Sequence, residues 1–150
     1  MTGWDDITDR LARQLSVLPD GAVVNIVGLR PGGVPVQAQV AQFSDSLWAT
    51  FQGRSSAYPE IAFGIDPELM TAAGWQPPEN SDHGTSWWIE LPWPVPMMIH
   101  RQLAHMIVTG FRDFHRMPDT AGLTYDAWDY EPGSGPLELP LLGIPAQERP

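Results

Sequence analysis

The stretch Trp87-Trp88-Ile89-Glu90-Leu91-Pro92-Trp93 holds three of the chain's seven tryptophans. Indoles this dense suit two kinds of chemistry: a wall on which a sugar, a base or a cation stacks, or one face of a hydrophobic core. Alternation separates the two. In an extended chain Trp87, Ile89, Leu91 and Trp93 share one side, and Trp88, Glu90 and Pro92 the other. Four large apolar groups on one side are what a sheet buries, so Trp87 and Trp93 are assigned to the core. The same test on SLWATFQG, residues 46–53, groups Leu47, Ala49 and Phe51 and leaves Trp48 opposite with Thr50 and Gln52. Trp48 and Trp88 are thus the rings that no core face claims. They are the expected partner-binding residues.

The titratable residues assemble no comparable set. There is no cysteine, which removes thiolate metal sites, disulfides and cysteine nucleophiles together. Of the four histidines, His83, His100, His105 and His115, the pair His100 and His105 lies five positions apart on one helical stretch. On a helix that is about 140° of rotation, which does not give the paired geometry of HExxH. A solvated or half-buried helical histidine is the expectation for each. Asp82-His83 is accompanied by no G-x-S-x-G turn and reads as loop polarity. Glu90 and Asp66 would suit a glycosidase only if the fold set them across a cleft, which spacing does not establish. Arg30-Pro31-Gly32-Gly33 is too short for a phosphate loop. Every basic residue is an arginine, so there is no P-loop or Schiff-base lysine. No catalytic residue, metal or cofactor is expected.

Charge narrows the partner class. Eighteen acidic against eight basic residues give a net charge of −10. A surface that negative lacks the positive footprint that phosphate backbones demand, so nucleic acid is excluded as an expected partner. No apolar run approaches the roughly 20 residues needed to span a bilayer, so no membrane partner is expected either. The start, MTGWDDITDRL, has no basic region followed by an apolar run, and the expected location is cytoplasmic.

The elements that position these residues follow from period. Trp4, Ile7, Leu11, Leu15 and Leu18 recur at three and four, which predicts an amphipathic helix over about 4–18 with acids at its positive end. AVVNIVGL (22–29), VPVQAQVAQF (34–43) and SLWATFQG (46–53) read as strands. Their links, residues 30–33 and Ser44-Asp45, are too short for parallel crossovers, so the strands are antiparallel neighbours. Residues 54–65 receive no assignment. Asp66-Pro67-Glu68 announces a short helix ending at Gly74, and 76–86 is a loop by composition. After the Trp-rich strand, Pro96 opens the longest helix, about 97–116, with Ile99, Leu103, Met106, Ile107, Gly110, Phe111 and Phe114 on its stripe. Leu123, Tyr125, Ala127 and Tyr130 suggest a last short strand or extended segment. From Glu131 the chain loses its period and gains prolines. The expected organisation is one domain over 1–130 and a Pro-rich tail over 131–150, mobile or laid along the surface.

The order α-β-β-β-α-β-α resembles the type III secretion chaperone-like fold, and more closely the actinobacterial TY-Chap and YbjN-like domains within it. The resemblance covers about residues 4–130. It is carried by Trp4 through Leu18 ending in LPDG, by VPVQAQV, by ELMTAAGWQPP before a Trp-bearing strand, and by GFRDF and LTYDAWDY near the end. It implies an α+β domain, often dimeric, whose work is to bind other proteins, and it supplies no catalytic residue.

The reading that joins these strands is a non-enzymatic, chaperone-like module. It engages a polypeptide through the polar-alternate face of its sheet or a strand edge, and a homodimer is possible. Two alternatives stand beside it: a small-ligand binder using the tryptophans as a stacking wall, and an enzyme of unknown class.

Overall fold

The computed structural model describes residues 3–29, 35–51, 67–76, 87–92, 95–114, 117, 119–120, 122–129 and 137–146. The Asp66 cap, the turn at 30–33, Gln52, Trp93, His83, His115, Tyr130 and the unassigned 54–65 lie outside them.

An α+β domain results. Helix α1 spans Trp4–Ser16. Strands β1 (Ala22–Leu29), β2 (Pro35–Gln42) and β3 (Ser46–Phe51) follow. Next come α2 (Pro67–Ala73), β4 (Trp87–Pro92), α3 (Met97–Thr109) and β5 (Thr124–Asp129). The five strands form one antiparallel sheet in the order β4-β3-β2-β1-β5. The expected class, an antiparallel sheet packed by an N-terminal and a long C-terminal helix, is the one present.

Alternation builds the core. Val24 and Ile26 of β1, Val36, Ala38 and Val40 of β2, Leu47, Ala49 and Phe51 of β3, and Trp87 of β4 are all buried on one side of the sheet. They form a single cluster with Ile7, Leu11 and Leu15 of α1, Met70 of α2, and Leu103, Ala104 and Ile107 of α3. The three helices therefore lie on the same face of the sheet. On the outer surface of α1, Arg10 and Arg13 pair with Asp6 and Asp9 one turn earlier, at 2.9 Å each. Exposed pairs of this kind contribute only about 0.3–0.5 kcal/mol. Burial of the apolar stripe holds the helix in place.

Two details depart from regular expectation. The long helix keeps α hydrogen bonding to Thr109 and then widens to a π-helical turn over Gly110–Phe114. Here the backbone presses on the sheet: a Cβ on Gly110 would lie 2.5 Å from two carbons of the Phe51 ring. That ring is itself wedged between Phe111, with centroids 5.2 Å apart, and the buried Trp75, at 5.8 Å. The second departure is His100. It was expected solvated or half-buried, yet it is 2% exposed, because the α3 face that carries it also carries buried Leu103, Ala104 and Ile107. His105 lies exposed, in keeping with the five-residue spacing.

Residues 137–146 run beside β5. Leu137 donates its N–H to the Ala127 carbonyl at 2.9 Å, and Tyr125 donates its N–H to the Pro145 carbonyl at 3.1 Å. The Tyr125 hydroxyl accepts the Leu139 N–H, and Gln14 Oε1 accepts the Leu141 N–H, both at 3.0 Å. Leu139 and Leu142 are buried within the main cluster.

Candidate functional site

The sheet face turned away from the helices collects what the core does not use. Register places the residues in rows across the strands. One row reads Trp128, Val23, Ala41, Trp48, Glu90; the next reads Asp126, Asn25, Gln39, Thr50, Trp88. Trp48 and Trp88 therefore do share a face, as alternation predicts, and they are diagonal neighbours on adjacent strands. Each is half-buried. The Trp48 indole N–H donates to Ser46 Oγ at 3.1 Å, and its ring meets Phe43 edge to face, with centroids 5.6 Å apart. Such edge-to-face geometry fixes the orientation of a ring that a flat surface would leave free.

Trp128 is a member of this face that the sequence reading passed over. In TYDAWD it alternates with Thr124 and Asp126, opposite the buried Tyr125 and Ala127. It pairs with Val23, which is buried at 5% exposure yet stands outside the main core cluster. Val23 and Ala41 lie between Trp128 and Trp48 in one row, an apolar strip on the side of the sheet where no described helix packs.

Where β3 meets β4, Asp45, Ser46, Trp48, Gln76, Trp88, Glu90 and Pro92 line an open cleft of about 770 Å³. Hydrogen bonding along β4 tells how this cleft is bounded. Gln76 and Trp88 exchange both backbone hydrogen bonds, at 2.8 and 3.2 Å. The N–H and C=O of Trp88 thus point away from β3. Because these groups alternate along a strand, those of Glu90 point outward too. Among the described residues, no backbone group pairs with Glu90. The opposite edge of the sheet, β5, is occupied by residues 137–146. On the helix side of β4, half-buried Ile89 and Leu91 join Ile99, Gln102, Leu103 and Met106 around a smaller apolar hollow of about 60 Å³.

Among the described residues, the charges on the cleft side are acidic. Asp45 and Glu90 are exposed carboxylates, Asp126 lies in the second row, and Asn25 Oδ1 is a buried acceptor with no donor among the described residues. The described arginines, Arg10, Arg13, Arg101 and Arg112, all belong to the helical layer. The perturbed titrations also lie on that layer. Burial holds the His100 imidazole below its ordinary value, and a hydrogen bond from Arg112 holds the Asp113 carboxyl below its own.

Among the described residues, no three histidine or acidic side chains converge to hold a metal, and Glu90 faces no second carboxylate across its strand pair, where Trp48 stands. What the arrangement can do is pair backbone groups with an extended chain along β4 and cradle its side chains on either side of the sheet edge. No curated protein and no solved structure matches the chain. Residues 1–129, which hold all five strands and the Trp48–Trp88 cleft, do match a family described as T3SS (YopN, CesT) and YbjN peptide-binding chaperone 3, and this chain belongs to that family, TY-Chap3.

Proposed function

We propose that this chain is a non-enzymatic peptide-binding module that takes up an extended polypeptide segment along the outer edge of β4 at Glu90, beyond the Gln76–Trp88 bridge, with Trp48 and Trp88 as contact residues. One observation carries the reading. The Glu90 N–H and C=O are directed outward at a strand edge, directly beside a cleft walled by two tryptophans. An edge of this kind is a template for an added strand, in which main-chain hydrogen bonds supply affinity and flanking pockets supply selectivity. The family's description as peptide-binding chaperones supports the same class of partner. A second copy pairing through this edge would form a homodimer and compete with the peptide, so added peptide should lower the mass measured by light scattering toward the monomer.

The test is panning of a displayed random nonapeptide library against three forms of the protein. Trp48→Ala/Trp88→Ala removes the wall. Glu90→Pro removes the outward N–H at a position where an edge strand tolerates proline. The expected result is enrichment on the wild-type protein that both variants lose while keeping its far-UV circular dichroism. Enrichment equal in all three forms would refute the site. Loss in the tryptophan variant alone would favour a ligand that stacks without strand pairing.

A further inference from the structure

Resting on that reading, we infer that the segment accepted at β4 is a basic one, in which lysine or arginine alternates with small aliphatic residues. The argument begins with geometry. A strand laid against β4 must send successive side chains to opposite sides of the sheet. On the side away from the helices they meet the cleft of Trp48, Trp88, Asp45 and Glu90. On the helix side they meet the hollow bounded by Ile89, Leu91, Ile99 and Met106. The two sides of one edge therefore select different chemistries at alternate positions.

The cleft side suits a cation. Its two exposed carboxylates attract one, the two indoles that line it favour one through the ring quadrupole, and no described arginine lies on that face to repel it. An acidic side chain placed there would meet like charge from Asp45 and Glu90, with Asp126 further along the same face. The helix side suits a small aliphatic group. Its volume of about 60 Å³ favours an alanine or valine over an aromatic ring. The wider charge balance agrees. Of the four described arginines, Arg10, Arg13 and Arg112 are paired with neighbouring aspartates on the helical layer.

The experiment is fluorescence anisotropy with four labelled nonapeptides: Lys alternating with Val, Thr alternating with Val, Glu alternating with Val, and the Lys/Val composition with its lysines grouped in one block. The Lys/Val alternation is expected to bind tightest. The Thr/Val peptide should be about tenfold weaker, as one charged contact with a partly exposed carboxylate and indole allows. The Glu/Val peptide should show no binding, and the block peptide should be weaker than the alternating one. Raising salt from 50 to 500 mM should erode the Lys/Val preference. Asp45→Asn/Glu90→Gln should bring the Lys/Val and Thr/Val affinities together. Equal affinity of the Thr/Val or Glu/Val peptide on wild-type protein overturns the charge selectivity while leaving the strand-edge site standing. Equal affinity of the block peptide overturns the alternation. If no peptide of any charge binds, or if Trp48→Ala/Trp88→Ala binds all four unchanged, the inference and the peptide-binding site fall together.

Discussion

Leu142 belongs to a stretch whose sequence has no usable period, yet its side chain is 0% exposed and sits in the main core cluster. Leu141, one position earlier, is 43% exposed. The pair makes a controlled comparison. Leu142→Ala deletes three buried carbons and leaves a cavity that the sheet and α1 cannot fully close, a loss of about 2–5 kcal/mol. Leu141→Ala keeps the backbone N–H that Gln14 accepts, removes little buried surface, and should stay within about 0.5 kcal/mol. For a chain of this size 1 kcal/mol moves Tm by about 2–4 °C. Leu142→Ala should therefore lower Tm on the order of 4–20 °C, and Leu141→Ala by about 2 °C or less. Urea denaturation followed by tryptophan fluorescence checks the same quantity, with the midpoint shifted and the slope unchanged. Equal, small shifts for both variants would refute the reasoning and return 137–146 to the status of an appended tail. A large shift for Leu142→Ala would make the segment part of the folded unit.

Three further outcomes are expected. Trp87→Ala should cost about 3–5 kcal/mol in chemical denaturation, since Trp87 is buried at 7% exposure, and Trp88→Ala distinctly less; equal losses would break the alternation argument. Gly110→Ala should destabilise, because overpacking against the Phe51 ring, at about 1–3 kcal/mol, outweighs a helix-propensity gain of about 1 kcal/mol; in a Phe51→Leu background the same change should turn neutral or stabilising, and additivity of the two changes would contradict the close approach. Burial lowers the His100 pKa in the folded state from the ordinary 6.5, so stability should be full above pH 6.5 and decline as the pH falls toward the folded-state value; a His100→Gln variant whose stability falls as steeply between pH 6.5 and 5 would show that His100 is not the cause.

Period made the main elements legible. The three- and four-residue spacing of Ile7, Leu11 and Leu15 marks α1, and alternation in VPVQAQV and SLWATF separates the core side from the Trp48 side as found. The pairing of Trp48 with Trp88 on one face was legible for the same reason. Trp128 is masked by the apolar run of Leu123, Tyr125 and Ala127, whose alternates Thr124 and Asp126 are polar; its signal is its place two residues after Asp126 on the same face. The burial of His100 follows from its place on the α3 face of Leu103, Ala104 and Ile107, a stripe whose apolar members alone marked the buried side. The Gln76–Trp88 bridge joins residues distant in sequence, and the burial of Leu139 and Leu142 arises in irregular backbone, where no period exists to read.

The position of β1 bears on how the chain is made. It is the second element in sequence, yet it lies between β2 and β5, with Ala22 paired to Asp129. On a ribosome adding roughly 5–20 residues per second, the interval between synthesis of those two positions is on the order of 5–20 s. Through that time one edge of β1 lacks its native strand partner. The apolar stripe of α1, whose cover includes α3, waits nearly as long. Folding dominated by such distant pairings is slow for the size of the domain. An interior strand of the sheet thus keeps one unpaired edge through most of translation. Ribosome-bound chains stalled before residue 120 should be cut by protease within β1, and chains released after residue 146 should not.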